Sequence, residues 1–181
     1  MNINTTSGIL EEAELMLSPN CDSRPKNTNI TLLVIHNISL PPGEFGGSYI
    51  SQLFCNQLNP SDHPFFDEIK ELRVSSHLLI RRNGDIIQYV PFHKRAWHAG
   101  VSEFEGKTCC NDFSIGIEME GTDDEAYEEI QYQKLTEVTK QLLTAYPHIS
   151  HDRITGHCHI APERKTDPGE AFDWKKYLNS I

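Results

Sequence analysis

Thr31-Leu32-Leu33-Val34-Ile35-His36 is the stretch on which the fold turns. A β-branched, uninterrupted apolar run marks a strand buried on both faces, inside an α/β sheet. It delivers His36 at its C-terminal end, where such sheets place their ligands. Downstream, Pro41 to Gly47 reads as a loop. Ser48 then caps a helix with Ile50, Leu53, Phe54 and Leu58 on one face.

Phe113 to Glu120 alternates with period two. Phe113, Ile115, Ile117 and Met119 share one face, and Ser114, Gly116, Glu118 and Glu120 the other. His77 to Val90 reads as a hairpin, with Asn83-Gly84 predicting a type I′ turn. Ile9, Ala13 and Met16 predict a short N-terminal helix ending before Pro19. Thr122 and Glu125 read as a capping box. The long helix they open carries Tyr127, Ile130, Leu135, Val138, Leu142 and Tyr146, and Pro147 stops it. Trp174, Tyr177 and Leu178 suggest a last short helix. With no repeat or linker, the expectation is one α/β domain over 1–181, core about 28–179: a central mixed β-sheet flanked by α-helices.

A net charge of -10 opposes sequence-independent nucleic-acid binding. Five cysteines, an odd number without regular spacing, fit a reducing compartment. Met1 to Leu17 carries Glu11, Glu12 and Glu14 and no cation, unlike a secretory signal, and no segment reaches membrane-spanning length. A soluble, cytoplasmic, monomeric protein is expected, without a nucleic-acid or membrane partner.

The chemistry concentrates in Thr155 to Gly169, a segment broken by Pro162 and Pro168. His157 and Asp167 lie in it. With His36 they make the two-histidine, one-carboxylate set that can hold Zn2+, one per chain, and leave a position for water. Such an ion lowers the pKa of its water and polarises a scissile carbonyl. Ordinary polar histidines are the competing reading. Glu118, beside Gly116 and Ser114, can serve as the proton carrier or can simply face solvent. Lys165 can stabilise an oxyanion or can be a solvated loop lysine. In an extended segment Cys158 would point away from the metal of His157, which makes it a buried small side chain. His98 reads as a structural or cleft-wall residue. His63 and His77 read as possible cleft residues, and His93, His148 and His151 as surface ones. Phe65 and Phe66 fit either a cleft edge or a loop anchor.

Four motifs carry a family resemblance. They are His36 to Gly47, Arg95-Ala96-Trp97-His98-Ala99-Gly100, Asn111 to Glu118, and the C-terminal loop. In order and over nearly the whole chain they resemble the N-acetylmuramoyl-L-alanine amidases. That family includes phage enzymes of the T7 lysozyme type and peptidoglycan recognition proteins. The likeness is strongest to the cytoplasmic branch specific for 1,6-anhydro-muropeptides. The resemblance implies that fold, with zinc in a groove at one edge of the sheet. It also implies His36, His157 and Asp167 as metal ligands, Glu118 and Lys165 as catalytic residues, and Asn37, Arg73 and Trp97 as cleft residues.

The implied reaction hydrolyses the amide between 1,6-anhydro-N-acetylmuramic acid and L-alanine. Glu118 takes a proton from the attacking water and returns it to the departing nitrogen, and Lys165 supports the oxyanion. The implied role is peptidoglycan recycling, with control of AmpC β-lactamase induction. An amidase acting on intact peptidoglycan and a non-catalytic peptidoglycan-binding module are the alternatives. One departure is Cys109, where members often carry a basic residue. A contact to a substrate carboxylate is then lost or moved to Lys107.

Overall fold

The computed structural model describes all 181 residues. In chain order the first strands are β1 (Ile3–Asn4), β2 (Ile9–Leu10), β3 (Glu14–Leu15), β4 (Cys21–Ser23) and β5 (Leu32–Ile38). Then come α1 (Tyr49–Phe54), α2 (Pro64–Ile69), β6 (Leu78–Ile80), β7 (Ile86–Gln88) and β8 (Lys94–Ala96). The chain continues through β9 (Glu103–Phe104), β10 (Lys107–Thr108), β11 (Ser114–Glu120) and α3 (Glu129–Ala145). It ends with β12 (Ile154–Gly156), α4 (His157–Ile160) and α5 (Trp174–Leu178).

Six strands form one mixed sheet in the order β12-β5-β11-β6-β7-β3. β5 and β11 pair in parallel over their full length, Ser114 opposite Leu32 and Glu120 opposite Ile38. β12 and β6 extend this parallel core on either side, and β7 runs antiparallel to β6. Every residue of β11 is buried, so its polar face is covered rather than bathed in water.

Side chains alternate across the sheet. Leu33, Ile35, Ile115, Ile117 and Met119 pack under α3 against Leu135, Val138 and Leu142. Truncating a fully buried leucine such as Leu135 costs about 2–5 kcal/mol. On the other face α1 and α2 cover Leu79 and Ile87 through Leu53, Phe54 and Phe66. A third cluster joins Leu32 and Val34 to Ala99, Cys110, Phe113 and Ile160. It lies on the same strand face as His36.

Several local expectations are revised. Ile9, Ala13 and Met16 belong to no helix. Ile3 and Asn4 pair with Leu10 and Ile9, while Gln88, fully buried, bonds Leu10 N–H and Gly8 C=O. These contacts bind the N-terminus as short strands, and Ile3 and Leu10 join the core. The β6–β7 hairpin forms, but its turn is not type I′. Gly84 N–H bonds Arg81 C=O at 2.9 Å, and Gly84 (φ +88) rather than Asn83 takes the left-handed conformation. That is a type I turn closed by a left-handed glycine, which needs one positive φ instead of two. The long helix starts at Glu129, where Gln131 Oε1 accepts from the Glu128 backbone N–H at 3.0 Å, because Asp123 and Tyr127 before it are held by Asn37 and Pro168. α1 ends at Phe54, so Leu58 lies beyond it, and Ser48 makes no side-chain cap bond. β5 continues two residues past His36.

Candidate active site

Strand register builds one half of the site. His36 on β5 and Glu118 on β11 are direct partners across the parallel pair, so both side chains rise from the same face. β12 pairs Gly156 with Ile35, which sets His157 beside His36 as the first residue of α4. The Asp167 loop is tied in by backbone and side chain. Asp167 C=O accepts from Cys158 N–H at 2.9 Å, and Pro168 C=O accepts from Asn37 Nδ2 at 3.0 Å and from Tyr127 Oη at 2.8 Å.

The three donors meet closely. His36 Nδ1 lies 3.0 Å from His157 Nδ1 and 2.9 Å from Asp167 Oδ2, and the last two atoms are 3.0 Å apart. His157 Nε2 faces the Ala99 carbonyl at 3.1 Å, an acceptor only, so Nε2 carries the proton of the neutral ring. Its Nδ1 is then a bare lone pair. Burial brings the His36 imidazole down to about 4, against the opposing pull of Asp167, so the His36 ring is neutral near pH 7. Lone pairs and a carboxylate converging within hydrogen-bond distance call for a cation between them, and this set suits Zn2+. The residues present fit the metal.

Glu118 stands beside this cluster, 8% exposed, with Oε2 buried and without any hydrogen-bond partner. Burial first, and the Asp167 charge second, push its carboxyl well above the ordinary value, while Lys165 pulls it down. A partnerless buried carboxylate is costly to folding and marks a group kept for a task. Lys165 is exposed, and with Asn37, Ser39, Asp123 and Asp167 it lines a groove of about 480 Å3.

The other expected residues are placed differently. Trp97 is half-buried, its backbone N–H donating to Ser75 Oγ, and it is not among the residues lining that groove. Arg73 is exposed and folds its guanidinium onto the carbonyls of Lys70 and Leu72. Lys107 sits over the Phe113 ring at 4.1 Å. Cys158 stays outside the donor cluster, although α4 is helical and not the extended segment expected. His63 caps α2, and His77 is fully buried instead of lining the cleft. Phe66 is a core residue and Phe65 packs partly buried against the same cluster.

Sequence reasoning gave His98 no partner. It is buried with Nδ1 2.9 Å from His36 Nε2 and Nε2 3.0 Å from Ser114 Oγ. The available signal was Gly116, where a Cβ would meet the His98 ring at 2.5 Å.

A family model described as N-acetylmuramoyl-L-alanine amidase matches residues 26–170. The chain belongs to this amidase family. Among its relatives, the 1,6-anhydro-N-acetylmuramyl-L-alanine amidase AmpD of Escherichia coli K12 is 60% identical over 170 residues, 94% of this chain and 92% of that protein. A crystal structure of a selenomethionine AmpD derivative matches the fold with a TM-score of 0.96 at 57% identity, over 100% of this chain and 99% of that one. E. coli AmiD, solved with anhydro-N-acetylmuramic acid-L-Ala-D-gamma-Glu-L-Lys, matches at 0.62 and 30% identity, over 87% of this chain and 60% of that one. The amidase fold of the family, a mixed central sheet with flanking helices, is the fold described above. No helix is long and apolar enough to cross a membrane.

Proposed function

We propose that this chain is a zinc-dependent amidase that cleaves the bond between 1,6-anhydro-N-acetylmuramic acid and L-alanine in anhydro-muropeptides. The observation that carries the reading is the convergence of His36, His157 and Asp167 beside the partnerless Glu118 carboxylate. Its similarity to AmpD supports the substrate, and the AmiD complex is with a ligand of that class.

In this reading His36, His157 and Asp167 would hold one Zn2+, which would supply a Lewis acid for the scissile carbonyl and for water. Glu118, raised in pKa and free of partners, accepts the proton of the attacking water and delivers it to the alanine nitrogen as the amide breaks. Lys165, on the groove wall, meets the negative charge that grows on the carbonyl oxygen. Asn37 holds the loop that carries Asp167 and faces the same groove, where it is positioned to touch substrate. Trp97 and Arg73 are proposed as outer contacts only.

The cellular role follows from the substrate: a cytoplasmic, monomeric enzyme of peptidoglycan recycling whose activity sets the muropeptide signal for AmpC β-lactamase induction. A complete donor set with Glu118 opposes a binding-only module. Mass analysis of an anhydro-muropeptide digest tests the reaction; the expected products are the free anhydro-sugar acid and a peptide with L-alanine at its N-terminus.

A further inference from the structure

Ser114 Oγ lies 2.6 Å from the Cys110 carbonyl oxygen, which can only accept. The single hydroxyl proton is spent there. The 3.0 Å contact between Ser114 Oγ and His98 Nε2 must then be filled by the ring's N–H. In a neutral ring this leaves His98 Nδ1 bare. His36 Nε2, 2.9 Å away, has to donate to it. The His36 proton is therefore held on Nε2, and the lone pair is presented by Nδ1, toward His157 and Asp167.

The chain is anchored at its middle. Asn111 Oδ1 accepts from His98 N–H at 3.0 Å and from Ala99 N–H at 2.8 Å. Ala99 C=O is in turn the acceptor for His157 Nε2. One dipeptide, His98-Ala99, thus orients both histidines of the donor cluster.

We infer that His98 and Ser114 are positioning residues that fix His36 in the tautomer able to bind a metal through Nδ1. This rests on reading His36, His157 and Asp167 as the zinc site. Without the Ser114 hydroxyl, the buried His98 Nε2–H loses its acceptor. The ring then shifts its proton to Nδ1, which faces the His36 N–H. His36 relieves that clash by moving its own proton to Nδ1, where it blocks the ligand lone pair. Losing such an orienting partner costs roughly 10–100-fold in metal affinity.

The test has two arms. Zinc dissociation constants are measured by chelator competition for the wild type, Ser114→Ala, His98→Leu and His98→Asn. Ser114→Ala and His98→Leu should bind zinc roughly 10–100-fold more weakly. In His98→Asn the amide oxygen can stand where Nδ1 stood and accept from His36, so most of the affinity should return. Nitrogen-15 NMR of zinc-loaded wild type should find His98 protonated on Nε2 and bare at Nδ1. A proton on His98 Nδ1 overturns the inference, as does wild-type affinity in Ser114→Ala and His98→Leu. Equal weakness of the Asn and Leu variants would reduce His98 to packing. If a variant fails to fold, the wild-type tautomer decides alone. Wild-type protein that binds no stoichiometric zinc would contradict the site reading itself, while the His98 tautomer would still be measured.

Discussion

Glu118 and His36 are direct register partners on two adjacent parallel strands, on the same side of the sheet. The sheet itself thus sets the distance between proton carrier and metal ligand, independent of any loop. Replacing Glu118 by glutamine should lower kcat by roughly 10²–10⁴-fold, with zinc content unchanged. It should also stabilise the fold by about 0.5–2 kcal/mol, because a buried carboxylate without a partner disappears. Thermal melts beside steady-state kinetics check both halves; full activity in the zinc-loaded variant removes Glu118 as the base.

Lys165 acts on the reaction and on Glu118 at once. Removing its charge in Lys165→Met should lower kcat by roughly 10²–10³-fold. Since Lys165 holds the Glu118 carboxyl down, the same variant should move the acidic limb of kcat/KM to higher pH. A pH–rate profile with an unmoved limb would separate Lys165 from Glu118.

Acid should weaken the metal-free protein in a defined window. The His36 ring titrates near 6.5 when unfolded and about 4 when folded. Above the unfolded value neither state binds the proton. Below it only the unfolded state does, so stability falls from about pH 6.5 to about pH 4, by about 3 kcal/mol from this residue. Burial pushes His77 and His98 the same way. Zinc, which needs neutral imidazoles, should leave over the same range. Urea midpoints and metal content against pH check this, and a flat profile contradicts it.

Gly116 is a sensitive position far from solvent. A Cβ there would meet the His98 ring at 2.5 Å, so Gly116→Ala should displace His98 and, through it, His36. Weaker zinc binding together with a loss of stability of about 1–3 kcal/mol is expected. Chelator competition on the purified variant is the measurement, and unchanged binding would show that His98 can move freely.

What the sequence disclosed depended on how locally each element is determined. β5 was legible because a doubly buried strand needs continuous apolar residues, whereas the residue types and spacing of His36, His157 and Asp167 left a metal set and ordinary polar histidines both open, and only the family resemblance of the motifs chose between them. Glu118 was ambiguous: period two gives its face, but only the neighbouring strands tell that the face is covered. The N-terminus misled because Ile9, Ala13 and Met16 have helical spacing, whereas the distant Gln88 side chain dictates strands. Thr122 does bond Glu125 N–H at 3.2 Å, yet the helix waits until Glu129. Asp123 and Tyr127 are engaged with Asn37 and Pro168 in holding the site loop. His98 escaped because its partners, His36 and Ser114, are 62 and 16 residues away.

The central claim is tested most directly by incubating purified protein with a defined anhydro-muropeptide, zinc-loaded and after chelation, and weighing the products. The account predicts release of 1,6-anhydro-N-acetylmuramic acid and an intact L-alanyl peptide by the loaded protein, and none after chelation until zinc is returned. Uncleaved substrate with stoichiometric zinc bound, or equal turnover in the chelated protein, would contradict it.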